Sequence, residues 1–140
     1  MTIITGSWRA LAPHARPIRL DVFVREQHVP VELEWDGIDE QCTHAIAYDA
    51  HGQPVGTGRL VPDGHIGRMA VLKNARGQGH GGRILEALVA LARSRGHREV
   101  VLSAQTHARD FYERHGFVAR GDEYLDADIA HIEMRRLLAP

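Results

Sequence analysis

Arg76-Gly77-Gln78-Gly79-His80-Gly81-Gly82 separates two hydrophobic rhythms. Before it, His65 to Leu72 is a run of strand length carrying Ile66, Met69, Ala70 and Val71; after it, Ile84, Leu85, Leu88, Leu91 and Ala92 recur on one helical face, and Gly96 is a natural stop. A glycine-rich passage from strand to helix leaves backbone N–H groups unpaired where the helix dipole favours an anion. Glycines there let the backbone approach phosphate oxygens. They would equally permit a tight connection with no ligand, and glycine content alone does not choose between the two.

Gly77, Gly79 and Gly82 formally satisfy the dinucleotide fingerprint G-x-G-x-x-G. That fold needs an acidic residue about 20 positions later, at the end of the next strand. Glu99 has the distance but precedes the strand residues Val100 to Leu102, and only about 40 residues follow it. An ATPase-type phosphate loop fits worse, since no Lys-Ser or Lys-Thr pair closes the run.

Outward from the turn, Thr43 to Tyr48 and Pro54 to Val61 read as a hairpin leading through Pro62-Asp63-Gly64 into the third strand. Upstream, Ile3, Ile4 and Trp8 suggest a strand start, and Leu11 to Gln27 a helix with Pro13 and Pro17 near its beginning. Residues 28 to 41 gather Glu32, Glu34, Asp36, Asp39 and Glu40 around Trp35 and read as an acidic loop. Downstream, Thr106 is placed to cap a second helix through Phe111, Tyr112 and His115. Phe117 to Leu125 and Ala130 to Leu138 then form a closing hairpin across Asp126-Ala127-Asp128. The expectation is mixed α/β in one domain, residues 1 to 140.

With 140 residues and 44% hydrophobic content, the chain supports one core and is short for two domains. Lys and Arg total 17 against 18 Asp and Glu, so no broad positive field draws nucleic acid, and none is expected as partner. Cys42 is the single cysteine, which fits a reducing cytoplasm. No signal-like or membrane-spanning apolar run occurs, so a membrane association is not expected. Ten histidines form no His-Glu-x-x-His or comparable cluster, so no metal is expected.

Arg76-Gly77-Gln78-Gly79-His80-Gly81 resembles the R-x-x-G-x-G signature of the GCN5-related N-acetyltransferase family, and Arg68-Met69-Ala70-Val71 looks like its cofactor-facing strand. The run from Ser103 to Phe117 is similar to the family's second cofactor segment, with its aromatic helix and Gly-Phe ending. Val22 to Gln27, Asp36-Gly37-Ile38-Asp39 and His131-Ile132-Glu133-Met134 add a likeness to the ElaA-type branch. The likeness covers the chain from about residue 20 onward. It implies a twisted, mainly antiparallel sheet flanked by helices, with one parallel pair, residues 65–72 and 99–105, splayed to admit acetyl-CoA.

The implied activity is transfer of an acetyl group from the CoA thioester to an amine by direct attack in a ternary complex. Such chemistry needs a held donor, a neutral amine, support for an oxyanion and a proton for the thiolate. By resemblance, the backbone of Met69, Ala70 and Val71 pairs with the pantetheine arm, and the Val71 N–H faces the thioester oxygen. Arg76, Gly77, Gln78, Gly79, His80, Gly81 and Gly82 hold the pyrophosphate. Tyr112 is the candidate acid for the leaving sulfur; by itself it reads more readily as a core aromatic, and the family match at this position reverses that preference. Glu26 is the candidate base, and alternatively a solvated helix end. His44 and His131 line the acceptor cleft or serve as hydrogen-bonded structural histidines. Cys42 near His44 would suit a covalent route, for which no further signature exists. The acidic stretch suggests a cationic acceptor, a small molecule or a protein amine. The alternative function is a non-catalytic acyl-CoA-binding module, and homodimerisation through a sheet edge stays open.

Overall fold

A computed structural model describes residues 2–138. Ser7 ends the first strand, β1 (Thr2–Ser7), and caps the first helix, α1 (Trp8–Arg19), its hydroxyl accepting from the Ala10 N–H at 3.2 Å. That cap starts the helix at Trp8, a turn earlier than the sequence suggests, and removes Trp8 from the strand. The expected continuation to Gln27 is present with a change of pitch. Leu20–Glu26 is π-helical, and the Gln27 N–H reaches back to the Val22 carbonyl at 3.0 Å. The wider turn re-aims the Glu26 and Gln27 side chains relative to an α-helix.

The acidic stretch is more ordered than a loop. It contains a short helix, α2 (Val31–Glu34), and a 3₁₀ turn, Asp39–Gln41. Three strands follow: β2 (Thr43–Tyr48), β3 (Pro54–Leu60) and β4 (His65–Val71). The glycine turn then enters α3 (His80–Ser94), which packs back across the sheet before β5 (Glu99–Gln105). Thr106 does not cap the next helix as expected. The chain leaves β5 through a 3₁₀ turn, Thr106–Ala108, and α4 (Arg109–Arg114) begins one turn later without a side-chain cap. A hairpin, β6 (Val118–Asp126) and β7 (Ile129–Leu137), ends the fold, its turn carried by Ala127 and Asp128 at φ 50° and 62°.

The seven strands form one sheet in the order β1-β2-β3-β4-β5-β7-β6, with β4 and β5 the single parallel neighbours. Ile84, Leu85 and Leu88 of α3 bury against Leu60, Val100, Leu102, Ala104 and Met134 on one face of the sheet. Helix α1 covers the other face, through Trp8, Leu11 and Ala15 over Ile46 and through Ile18 with Val22 and Phe23 over Ala70. On the α3 side the approach is close. A Cβ added at Gly58 would lie 2.6 Å from the Met69 sulfur and 2.9 Å from Ile84, so a larger residue there requires these side chains to shift.

Strand β4 changes phase partway along. Its register against β3 slips between Thr57 and Arg59, and Arg68 sits at the bulge with φ 49°. Ahead of the bulge Ile66 faces α3; beyond it Met69 and Val71 pack toward α3 while Ala70 faces Ile18, Val22 and Phe23. The extra residue bends the strand, as bulges do, and parallel pairing with β5 is confined to His65↔Val101 and Ile66↔Leu102. Past that point β4 and β5 diverge, which gives the splay that the resemblance implies.

Candidate functional site

The splay opens into a cavity of about 840 Å³ lined by Glu26, Gln27, Met69, Val71, Tyr112 and His131, among others. Leu72 donates its N–H to the Val55 carbonyl at 2.8 Å, next to the Gly56↔Val71 pair. In an antiparallel ladder this alternation turns the N–H and carbonyl of Val71 away from β3 and toward the splay. The Val71 carbonyl accepts from Arg76 Nε at 2.9 Å, and its N–H is left on the splay side of the strand.

Below this strand edge lies the glycine turn. Gly79 is the residue before α3 and has φ 86°, a conformation suited to glycine; a Cβ there would meet nothing within 4 Å. The first hydrogen bond of α3 runs from the Arg83 N–H to the Gly79 carbonyl at 3.2 Å, so the N–H groups of His80, Gly81 and Gly82 precede the helix's own ladder. Open space beside these donors at a long helix's start fits a phosphate-bearing ligand. His80 contributes only its backbone here: its ring is 2% exposed and neither nitrogen is hydrogen-bonded among the described residues.

Two side chains at the end of the π-helical stretch reach across the opening. Glu26 receives both guanidinium nitrogens of Arg76, at 2.6 and 2.7 Å, and Gln27 exchanges amide hydrogen bonds with Gln105 at 2.7 and 3.2 Å. Arg76 follows β4 and Gln105 ends β5, so adjacent residues touch both arms of the splay. The Arg76 hydrogen bond holds the Glu26 carboxyl below the usual range. Glu26 therefore lies in the cavity as the sequence suggests, with both oxygens engaged. Gln27 and Gln105 carried no sequence signal of their own.

Tyr112 is 8% exposed, packed edge-on against Phe111 and Phe117 and part of the core under α3. Burial pushes its hydroxyl up to about 12. Tyr112 lines the cavity, and its side-chain contacts are the ring packings with Phe111 and Phe117. A phenol that stays protonated is equipped to donate.

The remaining candidates separate. His44 is 1% exposed, bonded through Nε2 to the Asp39 carbonyl oxygen at 2.9 Å, and burial lowers its pKa; it is a structural histidine. Burial raises the Cys42 thiol, the opposite of what a nucleophile needs. The acidic stretch is largely neutralised internally. Arg19 binds Glu34 at 2.6 Å and Asp39 at 2.7 Å, Arg59 bonds Asp36 and Asp39, and Arg68 reaches Asp36 at 3.3 Å. Trp8 and Trp35 sandwich the Arg19 guanidinium at 5.3 and 4.9 Å. Glu34, Asp36 and Asp39 of the stretch thus face arginines within the fold. Among the described residues no group of three His, Cys, Asp or Glu is arranged to hold a metal, and no helix is long and apolar enough to cross a membrane.

Known proteins share this arrangement. A family model described as an acetyltransferase (GNAT) domain matches residues 11–138. The uncharacterized N-acetyltransferase YjcF of Bacillus subtilis is 42% identical over 123 residues, covering 85% of this chain and 87% of its own. The crystal structure of an acyl-CoA N-acyltransferase from Pseudomonas aeruginosa is 34% identical and superposes with a TM-score of 0.84, covering 96% of this chain and 98% of that one. Escherichia coli ElaA superposes at 0.86 with 25% identity, over 97% and 99% of the two chains. With the splayed parallel pair and the glycine turn, these matches make the chain a member of the GNAT acetyltransferase family.

Proposed function

We propose that the protein transfers an acetyl group from acetyl-CoA directly to an amine while both substrates are bound. The carrying observation is the cavity in the splay, where the N–H of Val71 and the hydroxyl of Tyr112 share one space beside the glycine turn. The N–H groups of Gly77, Gln78, Gly79, His80, Gly81 and Gly82 receive the pyrophosphate, and Arg76 adds charge at the mouth. The edge of β4 at Met69, Ala70 and Val71, left without a strand partner by the bulge, receives the pantetheine amides. Acetyl-CoA supplies the activated acyl group as a substrate.

The reaction follows from these positions. The amine nitrogen attacks the thioester carbon and a C–N bond forms; negative charge gathers on the carbonyl oxygen, where the Val71 N–H is oriented to bond it. Collapse breaks the C–S bond, and Tyr112 gives its proton to the departing sulfur. Glu26 was the sequence candidate for removing the amine proton. Its bidentate pairing with Arg76 and lowered pKa support instead a role in holding Arg76 at the mouth.

The test is acetyl-CoA titration by calorimetry, followed by CoA release in the presence of spermidine, glucosamine, lysine and aniline. Binding of acetyl-CoA without NAD binding, together with amine-dependent CoA release, is the expected result. Binding with no release for any amine would leave a non-catalytic acyl-CoA module, and no binding would remove the reading altogether.

A further inference from the structure

An acceptor nitrogen sheds a proton as it is acylated, and with Glu26 committed to Arg76 the site needs another group to receive it. We propose that His131 is this general base; the proposal rests on the acyl-transfer reading above. His131 lies on β7 directly opposite Gln105 of β5 and Tyr124 of β6. Residues opposite one another in an antiparallel pair share a face. Gln105 points to Gln27 at the end of the π-helical stretch, whereas its neighbour Ala104 packs under α3. His131 therefore stands on the face opposite α3, the face of α1 and the acidic segment.

The imidazole is set in one chemical form. Its Nδ1 lies 2.7 Å from the Ile129 carbonyl oxygen, which can only accept, so in the neutral ring the hydrogen resides on Nδ1 and the lone pair on Nε2. The ring stacks on Tyr124, centroids 6.0 Å apart and planes at 21°, and the Tyr124 hydroxyl is itself bonded to Ser103. His131 is 9% exposed and lines the cavity, and the hydrogen bond to Ile129 engages only its Nδ1. A buried imidazole with a fixed tautomer at a cavity wall is held ready to accept a proton.

Its position relative to Tyr112 strengthens the assignment. Tyr112 belongs to the core on the α3 face, and His131 to the opposite face, yet both line one cavity through the splay. Amine and thiolate are both bonded to the one tetrahedral carbon, so an acid and a base that line one cavity match the two proton transfers. His131 Nε2 takes the proton from the nitrogen as the C–N bond forms. Tyr112 donates its proton to sulfur as the C–S bond breaks. The imidazolium then releases its proton to solvent, the tyrosinate regains one, and the sum is amide plus CoA thiol.

His131→Asn is the informative variant. An asparagine amide can still donate to the Ile129 carbonyl, preserving the fold contact, but it has no counterpart of Nε2. Acetyl-CoA affinity and melting temperature should be unchanged while turnover of spermidine or lysine falls by about 100-fold or more, the usual scale for a lost base. Aniline, neutral at assay pH, should lose less. His131→Gly should regain amide product, measured by mass spectrometry, when free imidazole is added; a packing role would not respond to this base. Wild-type turnover in folded His131→Asn, or in His131→Gln should the first variant melt early, would overturn the proposal, as would failure of imidazole to restore His131→Gly. Absence of CoA release by the wild-type protein with every amine is a different outcome, which overturns acyl transfer itself and the base role with it.

Discussion

At Tyr112 a single oxygen separates a packing residue from a catalytic one. The packing that fixes the residue runs through its ring, against Phe111 and Phe117. Tyr112→Phe should therefore fold and bind acetyl-CoA like the wild type. Removal of a general acid lowers rates by about 100- to 10,000-fold, and because a CoA thiolate leaves readily the fall should lie near the lower figure. It should appear in kcat more than in KM, and in single-turnover measurements if product release limits the steady state. Equal single-turnover rates in the two proteins would assign Tyr112 to packing. The Glu26 prediction has the opposite sign. The Glu26–Arg76 pair is partly exposed, 35% and 40% at the side chains, and such pairs are worth about 0.2–1 kcal/mol. Glu26→Gln should free Arg76 for phosphate and tighten acetyl-CoA binding by about 1.5- to 5-fold in calorimetry. Weaker binding would show that Arg76 needs Glu26 to hold its position.

Among the elements, the β4 bulge bears most directly on the site. Arg68 adopts a left-handed backbone conformation that costs an L-residue roughly 1–2 kcal/mol, and its guanidinium reaches the Glu34 carbonyl at 3.2 Å and Asp36 at 3.3 Å. The side-chain bonds hold the segment from Glu34 to Asp36 against the bent strand. Arg68→Ala and Arg68→Gly both delete those bonds, but only glycine relieves the backbone. The glycine variant should be the more stable of the two by about 1 kcal/mol in denaturant melts, reversing the usual order at strand positions. A more stable alanine variant would mean that the left-handed conformation relaxes once the guanidinium is gone. Nothing in Gly67-Arg68-Met69 announces this bulge in the sequence, because the register shift arises from pairing with β3. The glycine turn, by contrast, was legible: Gly77 and Gly79 stand between a strand rhythm and a helix rhythm and both have positive φ.

Across the whole molecule, the arginine–carboxylate cluster ties α1, α2 and β3 together and has a definite acid signature. Burial raises the Asp36 carboxyl, but hydrogen bonds from Arg59 and the Ile38 N–H outweigh this and hold it at about 2, and Asp39 is lowered by Arg19 and Arg59 in the same way. A folded pKa below the unfolded value contributes stability that is complete above the unfolded pKa and is lost as pH falls through the folded one. For Asp36 that window runs from about pH 4 to about pH 2. Burial raises Glu34 instead, so its contribution has the opposite pH sign and softens the transition. Asp36→Asn should lose about 2 kcal/mol at neutral pH, and the gap from wild type should narrow toward pH 2 in urea melts. A gap that persists unchanged would place the cost in shape and not in charge. This cluster was hidden in the sequence. Glu34 and Asp39 meet an arginine 15 and 20 residues away, and Asp36 one 23 residues away, so a local reading sees only a solvated acidic run. The strand before the glycine turn and the helix after it were recoverable because each rests on local periodicity, whereas the splayed parallel pair followed only from the family resemblance and the strand order needed the structure. The tautomer of His131 was not recoverable, since it depends on the β6–β7 turn folding back to present Ile129. The bulge at Arg68 also behaves as a shift of reading frame within a strand: Ile66 is read on one parity, Met69 and Val71 on the other. Deleting one residue between Gly67 and Met69 would restore a single parity. Met69 and Val71 would then turn toward α1, Ala70 toward α3, and the divergence of β4 from β5 would become an ordinary closed sheet with the same strand order.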